Sequence, residues 1–196
     1  MQYTILALFI FLNILAFPSF AQSTESPAKH NLSVEIDPAT FAFGGYGFHL
    51  RWQPKSSEHL LLGFGTYAMD MPKALIDLNP ANKGMGWNVR LNQGYGLFAE
   101  HHFSEVNKGF FSGVQTSFQQ YRIENSALEG SETFSNLMAM AFAGYAWQPI
   151  GTHFYIKPWA GLGYSTQVSG NTHLTSMEYS LAPITYFATL HMGYTF

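Results

Sequence analysis

The chain holds eight histidines and no cysteine, so nucleophilic, acid–base or metal chemistry would have to run through imidazole, carboxylate and hydroxyl groups rather than thiolates. His101 and His102 are adjacent, and His102 is followed closely by Ser104, the residue types of a base and a nucleophile. His49 and His191 are a second pair that could converge, although the spacing supplies no third metal ligand. Gly44-Gly45-Tyr46-Gly47 and Gly161-Leu162-Gly163 are glycine-dense, yet each lies within an alternating segment with no helix pattern after it, so neither reads as a phosphate loop. Which of these chemistries is open depends on the elements that carry the residues.

Those elements are strands. At the carboxy-terminus Tyr186, Ala188, Leu190, Met192, Tyr194 and Phe196 share one face. Thr185, Thr189, His191, Gly193 and Thr195 share the other, with Phe187 the one intruder. Reading backwards, the alternation is broken by gaps that are short at 54–58, 104–108 and 149–152 and long at 70–86, 125–133 and 169–177. Short turns at one end and long loops at the other are the pattern of a transmembrane antiparallel barrel, with the short turns periplasmic. An even strand number then requires an eighth strand, supplied by Leu32, Val34 and Ile36 before an Asp37-Pro38 turn. The expected strands are 31–36, 40–53, 59–69, 87–103, 109–124, 134–148, 153–168 and 179–196. Pro72 can start a short helix at Lys73 within the first long loop.

The amino-terminus fits export. Ile5 to Ala16 is apolar except for Asn13, and Ser19-Phe20-Ala21 forms a small-x-small cleavage pattern, so 1–21 reads as a signal peptide, although no Lys or Arg precedes the apolar core. Residues 22–30 read as a flexible periplasmic segment and 31–196 as one barrel domain. Charged residues make up 11% of the chain and aromatics 17%, too few charges for a water-facing surface. A net charge of -3 without a basic cluster argues against nucleic acid.

A soluble barrel alternates too, with its apolar face inward. Glycines on the polar face (Gly45, Gly47, Gly94, Gly113, Gly163, Gly193) and the low charge favour the opposite phase, with a cramped polar lumen. Lumen-facing Glu35, His49, Arg51 and Arg90, with Glu100, His102, Lys157 and His191, are then expected to form a structural polar network. Arg51, Glu100 and Lys157 are placed in the periplasmic half with His49 and His191 above them, and Glu35 and Arg90 nearer the outer half. Glu100 should bridge to Arg51 or Lys157, because an unpaired buried charge costs several kcal/mol. Trp52, Phe103, Trp147 and Phe196 are expected in a periplasmic aromatic girdle, with Trp87 near the outer rim. Adjacent strand residues face opposite ways, so His101 and His102 cannot jointly hold a metal.

With its signal peptide, strand count, girdles and terminal Phe196, the chain resembles the small eight-stranded outer-membrane barrels of Gram-negative bacteria, of the outer membrane protein A, X and W types, across 31–196. The resemblance implies localisation in the cell outer membrane, contact with its lipid and lipopolysaccharide, and recognition of the terminal strand by the barrel-assembly machinery. It implies no cofactor. The function it implies is a non-enzymatic barrel with a plugged lumen, serving envelope structure or presenting outer loops to an unknown ligand or protein. The alternative is a W-type conduit passing a small hydrophobic ligand through a lateral gap. A lipid A deacylase would resemble His-x-Ser-Asn on a strand; His102-Phe103-Ser104-Glu105 matches only the His and Ser, and on the periplasmic side.

Overall fold

The alternating segments close into a ring. The computed structural model describes residues 31–55 and 57–196; the signal peptide expected at 1–21 and the segment 22–30 lie outside the described residues. In chain order the elements are β1 (Asn31–Ile36), α1 (Pro38–Ala42), β2 (Tyr46–Gln53), β3 (Leu60–Asp70), α2 (Lys73–Ile76), β4 (Trp87–His102), β5 (Gly109–Asn125), β6 (Glu132–Ile150), β7 (Phe154–Gly170), the two-residue strands β8 (His173–Leu174) and β9 (Met177–Glu178), and β10 (Ile184–Thr195). A closed barrel joins β1 to β7 in sequence order and is completed by β10, which pairs with both β7 and β1; β8 and β9 form a separate hairpin. Every barrel pairing is antiparallel.

Bulky apolar side chains point out of the ring. Leu97 is 61% exposed, Val114 55% and Leu162 60%, a surface that suits hydrocarbon and not water. Trp52, Phe103, Trp147 and Phe196 are also exposed on this exterior, near the end with the short turns.

Three segments depart from the expected strands. Residues 40–45 do not extend β2: Asp37 accepts the Ala39 N–H at 2.9 Å and Pro38 pre-sets the first turn, so the chain winds into α1 instead. Residues 179–183 are not strand, and Pro183, which has no N–H to give a ladder, immediately precedes β10. In β4 an irregularity between Leu91 and Gln93 inverts the inside–outside phase. Arg90 therefore leaves the lumen and pairs with Asp70 at 2.6 Å, both partly exposed. Below the irregularity Gly94, Gly96, Phe98, Glu100 and His102 face in, while above it Trp87, Val89 and Leu91 do.

Glycine inside the barrel makes room for large neighbours. A Cβ on Gly193 would stand 2.2 Å from the Tyr155 ring, and one on Gly63 would meet the Arg51 side chain at 2.5 Å. Gly193→Ala should therefore displace Tyr155 and cost about 1–3 kcal/mol as an overpacking change, read as a lower urea midpoint of the refolded protein; an unchanged midpoint would show that the ring moves freely.

Candidate functional site

Apart from Arg90, the charged residues expected inside converge. Glu35 carries two oxygens with four lone-pair sites, and each is used. Oε2 accepts from Arg51 Nε at 2.8 Å and from His191 Nδ1 at 3.0 Å. Oε1 accepts from the Tyr155 hydroxyl at 2.9 Å and from Lys157 Nζ at 2.6 Å. Because an ionised carboxylate only accepts, this contact fixes the proton of His191 on Nδ1. Lys157 also donates to Glu100 at 3.0 Å, and Arg51 Nη1 lies 3.3 Å from Glu100. All four charged side chains are about 1% exposed or less, so Glu100 meets both of its candidate partners. His102 Nε2 lies 3.3 Å from Glu100, and its ring stacks on Phe111.

Register places this cluster. Arg51, Glu100 and Lys157 sit two or three residues from the short-turn ends of β2, β4 and β7. Glu35 joins them instead of lying higher, because β1 is short and pairs its upper end, Ile36, with Phe48 and with Met192 near the foot of β10. Among the described residues, Arg51 covers the Phe98 ring at 4.4 Å, and His49 stacks on His191 at 4.4 Å just above.

Above the cluster the lumen is not polar as expected. Phe98, Phe142, Met138, Met140 and Trp159 point inward with Phe187 packed against them. The intruder of the last strand is a wall residue. Phe98, Met138, Met140, Trp159 and Phe187 border a cavity of about 120 Å³ that also meets His49, Gln115, Asn136 and His191. The wall-facing rings lie over inward glycines: a Cβ on Gly113 would approach Phe142 to 2.6 Å, and one on Gly96 would approach Phe98 to 2.9 Å.

The mouth is covered by loop residues. Trp87 does not belong to an exterior rim; at 1% exposure it packs with Ile76, Ile123, Phe134, Leu174 and Tyr179 beneath the loops. Its ring meets Tyr179 edge-on at 5.7 Å. Asn82 ties the cap together, donating to the Ser180 carbonyl at 2.8 Å and accepting the Ser180 N–H at 2.9 Å. Burial first, then the charge of Asp77, pushes the Tyr179 hydroxyl up to about 12. A raised value favours the neutral form in the folded cap, so its contribution is complete below the ordinary tyrosine value of about 10 and is lost as pH rises toward 12. Trp87 fluorescence should change over that window, and Tyr179→Phe should abolish the change; an identical profile in the variant would assign it elsewhere.

Two sequence motifs do not assemble into catalytic groups. His102 is fully buried and turned to Glu100, whereas Ser104 is exposed in the turn, with its hydroxyl beside Gly109. His101 is on the exterior with His59 and Phe103. Glu35, His49 and His191 bring three donor atoms within 4.8 Å of one another, the third ligand that sequence spacing did not reveal. Yet Glu35 is already bonded to two cations, so a divalent ion would face Arg51 and Lys157 at contact range. The donor set does not fit a metal.

No family model and no curated protein matches the chain. Among solved structures it is similar to the N-terminal β-barrel domain of Pseudomonas aeruginosa OprF, at 16% identity over 85% of this chain and 97% of that one, with a TM-score of 0.44. Neisserial surface protein A is a second, at 9% identity over 85% and 94% of the chains, with a TM-score of 0.38. At those values the architecture rests on the chain's own ladder and exposed side chains: it is an all-β, eight-stranded antiparallel barrel with an apolar exterior.

Proposed function

We propose that this chain is a non-enzymatic barrel of the outer membrane, closed to through-flow, that serves envelope structure or binds through its outer loops. The observation that carries the reading is the cluster of Glu35, Glu100, Arg51 and Lys157, which spans the lumen from β1, β4, β2 and β7 and leaves every charge paired. An eight-stranded barrel has an interior just wide enough for side chains. The apolar exterior supports residence in lipid, including lipopolysaccharide on the outer side, and the exposed terminal Phe196 supports recognition of β10 by the assembly machinery.

Refolded protein should migrate differently before and after heating and should give no steady conductance in planar bilayers. Ohmic steps from the parent protein would overturn the closed lumen. Absence of heat-dependent migration and of insertion into vesicles would overturn the membrane barrel itself.

One observation favours the second reading, access from the side. The β1–β10 ladder ends at the Ile36–Met192 pair, so β10 from Ile184 to His191 has a strand neighbour only on its β7 side. The interval is bridged by α1 and its cap, where Thr189 Oγ1 donates to Asp37 Oδ1 at 2.8 Å. The charge cluster below bars onward passage to the periplasm, so side entry would lead to a blind cavity and not to a conduit.

A further inference from the structure

Three cavity side chains carry polar atoms without a hydrogen-bond partner among the described residues: both amide atoms of Asn136, Oε1 of Gln115 and Nδ1 of His49. Each residue is more than nine-tenths buried. Unmade hydrogen bonds in a dry interior are costly and uncommon. Convergent polar groups on an otherwise apolar wall are the pattern of a small-molecule site. They stand at two heights: His49 and Gln115 toward the charged floor, and Asn136 higher, paired across the ladder with Gln119.

Charge and access narrow the ligand. Two carboxylates and two cations balance in the floor, and the carboxylate on the cavity wall, Asp37, already accepts from the Ala39 N–H and Thr189 Oγ1, so an anionic head would arrive buried without a counter-charge and a cationic head would have to compete for Asp37, whereas a neutral head with several hydroxyl, ester or amide groups meets neither penalty. At the top the cavity is bordered by the cap residues Met71, Leu78, Tyr179 and Leu181. On the side, a second cavity shares Thr40, Met69, Leu75 and Phe187 with the first and extends to Tyr186 and Ala188 on the outer face of β10. Ile184, Tyr186 and Leu190 are exposed there, so this opening faces the apolar surroundings and not water.

From this geometry we propose that the cavity binds an uncharged single-chain amphiphile of the monoacylglycerol class. The head hydrogen-bonds Asn136, Gln115 and His49, and the chain leaves between α1 and β10 into hydrocarbon. The inference rests on the membrane-barrel reading and on side access; it does not require transport.

The chain has no cysteine, so Ser165→Cys, at a buried position on the cavity wall, gives a single thiol. Protein refolded into phosphatidylcholine vesicles is reacted with N-ethylmaleimide with and without 1-monododecanoylglycerol, and occupancy is read in parallel by native mass spectrometry of the parent protein. The expected result is one bound molecule and at least ten-fold slower alkylation, with dodecane and dodecanoate each needing at least ten-fold higher concentrations. Asn136→Leu should weaken the effect about ten-fold while heat-dependent migration stays normal; Gln115→Leu serves if that variant does not fold. Equal protection by dodecane, preference for dodecanoate, no bound molecule, or indifference to both substitutions would overturn the proposal. Inserted, heat-modifiable protein that fails to bind sinks this inference alone; protein that does not insert sinks the barrel reading.

Discussion

Glu35→Leu should lower the unfolding free energy by about 3–5 kcal/mol, because it strips a buried carboxylate from two buried cations. Four donors each lose one acceptor at once: Arg51, Lys157, Tyr155 and His191. Glu100 remains as the single carboxylate against Arg51 and Lys157, leaving a net positive charge inside the ring. Glu35→Leu combined with Lys157→Met restores neutrality and should recover a large part of the loss, since replacing a buried pair by apolar groups is far cheaper than breaking it. Urea titrations of the refolded single and double variants check both statements. A single variant within about 1 kcal/mol of the parent would mean that water reaches the cluster and screens it. A double variant weaker than the single would mean that the remaining three-residue network is held by geometry more than by charge.

The charged residues announced themselves by type and by face, because period-two alternation assigns a side wherever the ladder is regular. Partners were a different matter. Which residues share a depth depends on the stagger between strands, and nothing in Asn31–Ile36 says that its upper end pairs with the foot of β10. Arg90 shows the second limit: one extra residue between Leu91 and Gln93 inverts the face of everything above it, and the segment reads as unbroken alternation until its partner β5 is known. Indole favours the interfacial level, which is the sequence signal at Trp87, but the loops that bury it come from distant parts of the chain. Two local signals in the sequence do match the structure. Asp37-Pro38 is a helix cap followed by a first-turn proline, which α1 realises. Phe187, the exception on a polar face, marks the apolar wall of the cavity. The unpaired atoms of Asn136 and Gln115 had no sequence signal, since pairing is a property of neighbours.

Leu97→Arg should cost about 2–4 kcal/mol, the penalty for a cation on a barrel's lipid face near the bilayer midplane. Leu97 lies in mid-β4, is 61% exposed and pairs across the ladder with Phe64 and Thr116. Val168→Arg, near the outer end of β7 and also exposed, should cost only about 0–1 kcal/mol, because the guanidinium there reaches the headgroups. The contrast between the two sites separates a lipid exterior from a solvated one. In water an exposed Leu→Arg change relieves apolar exposure at either position, so a barrel with a solvated exterior would tolerate both equally or gain from both. Urea unfolding in phospholipid vesicles reads the pair directly, and a flat profile between positions 97 and 168 would remove hydrocarbon from the outside of this ring. A steep profile would instead fix the depth of β4 in the bilayer. It would also set the level at which the opening beside β10 meets acyl chains, which is the geometry that side entry into the cavity requires.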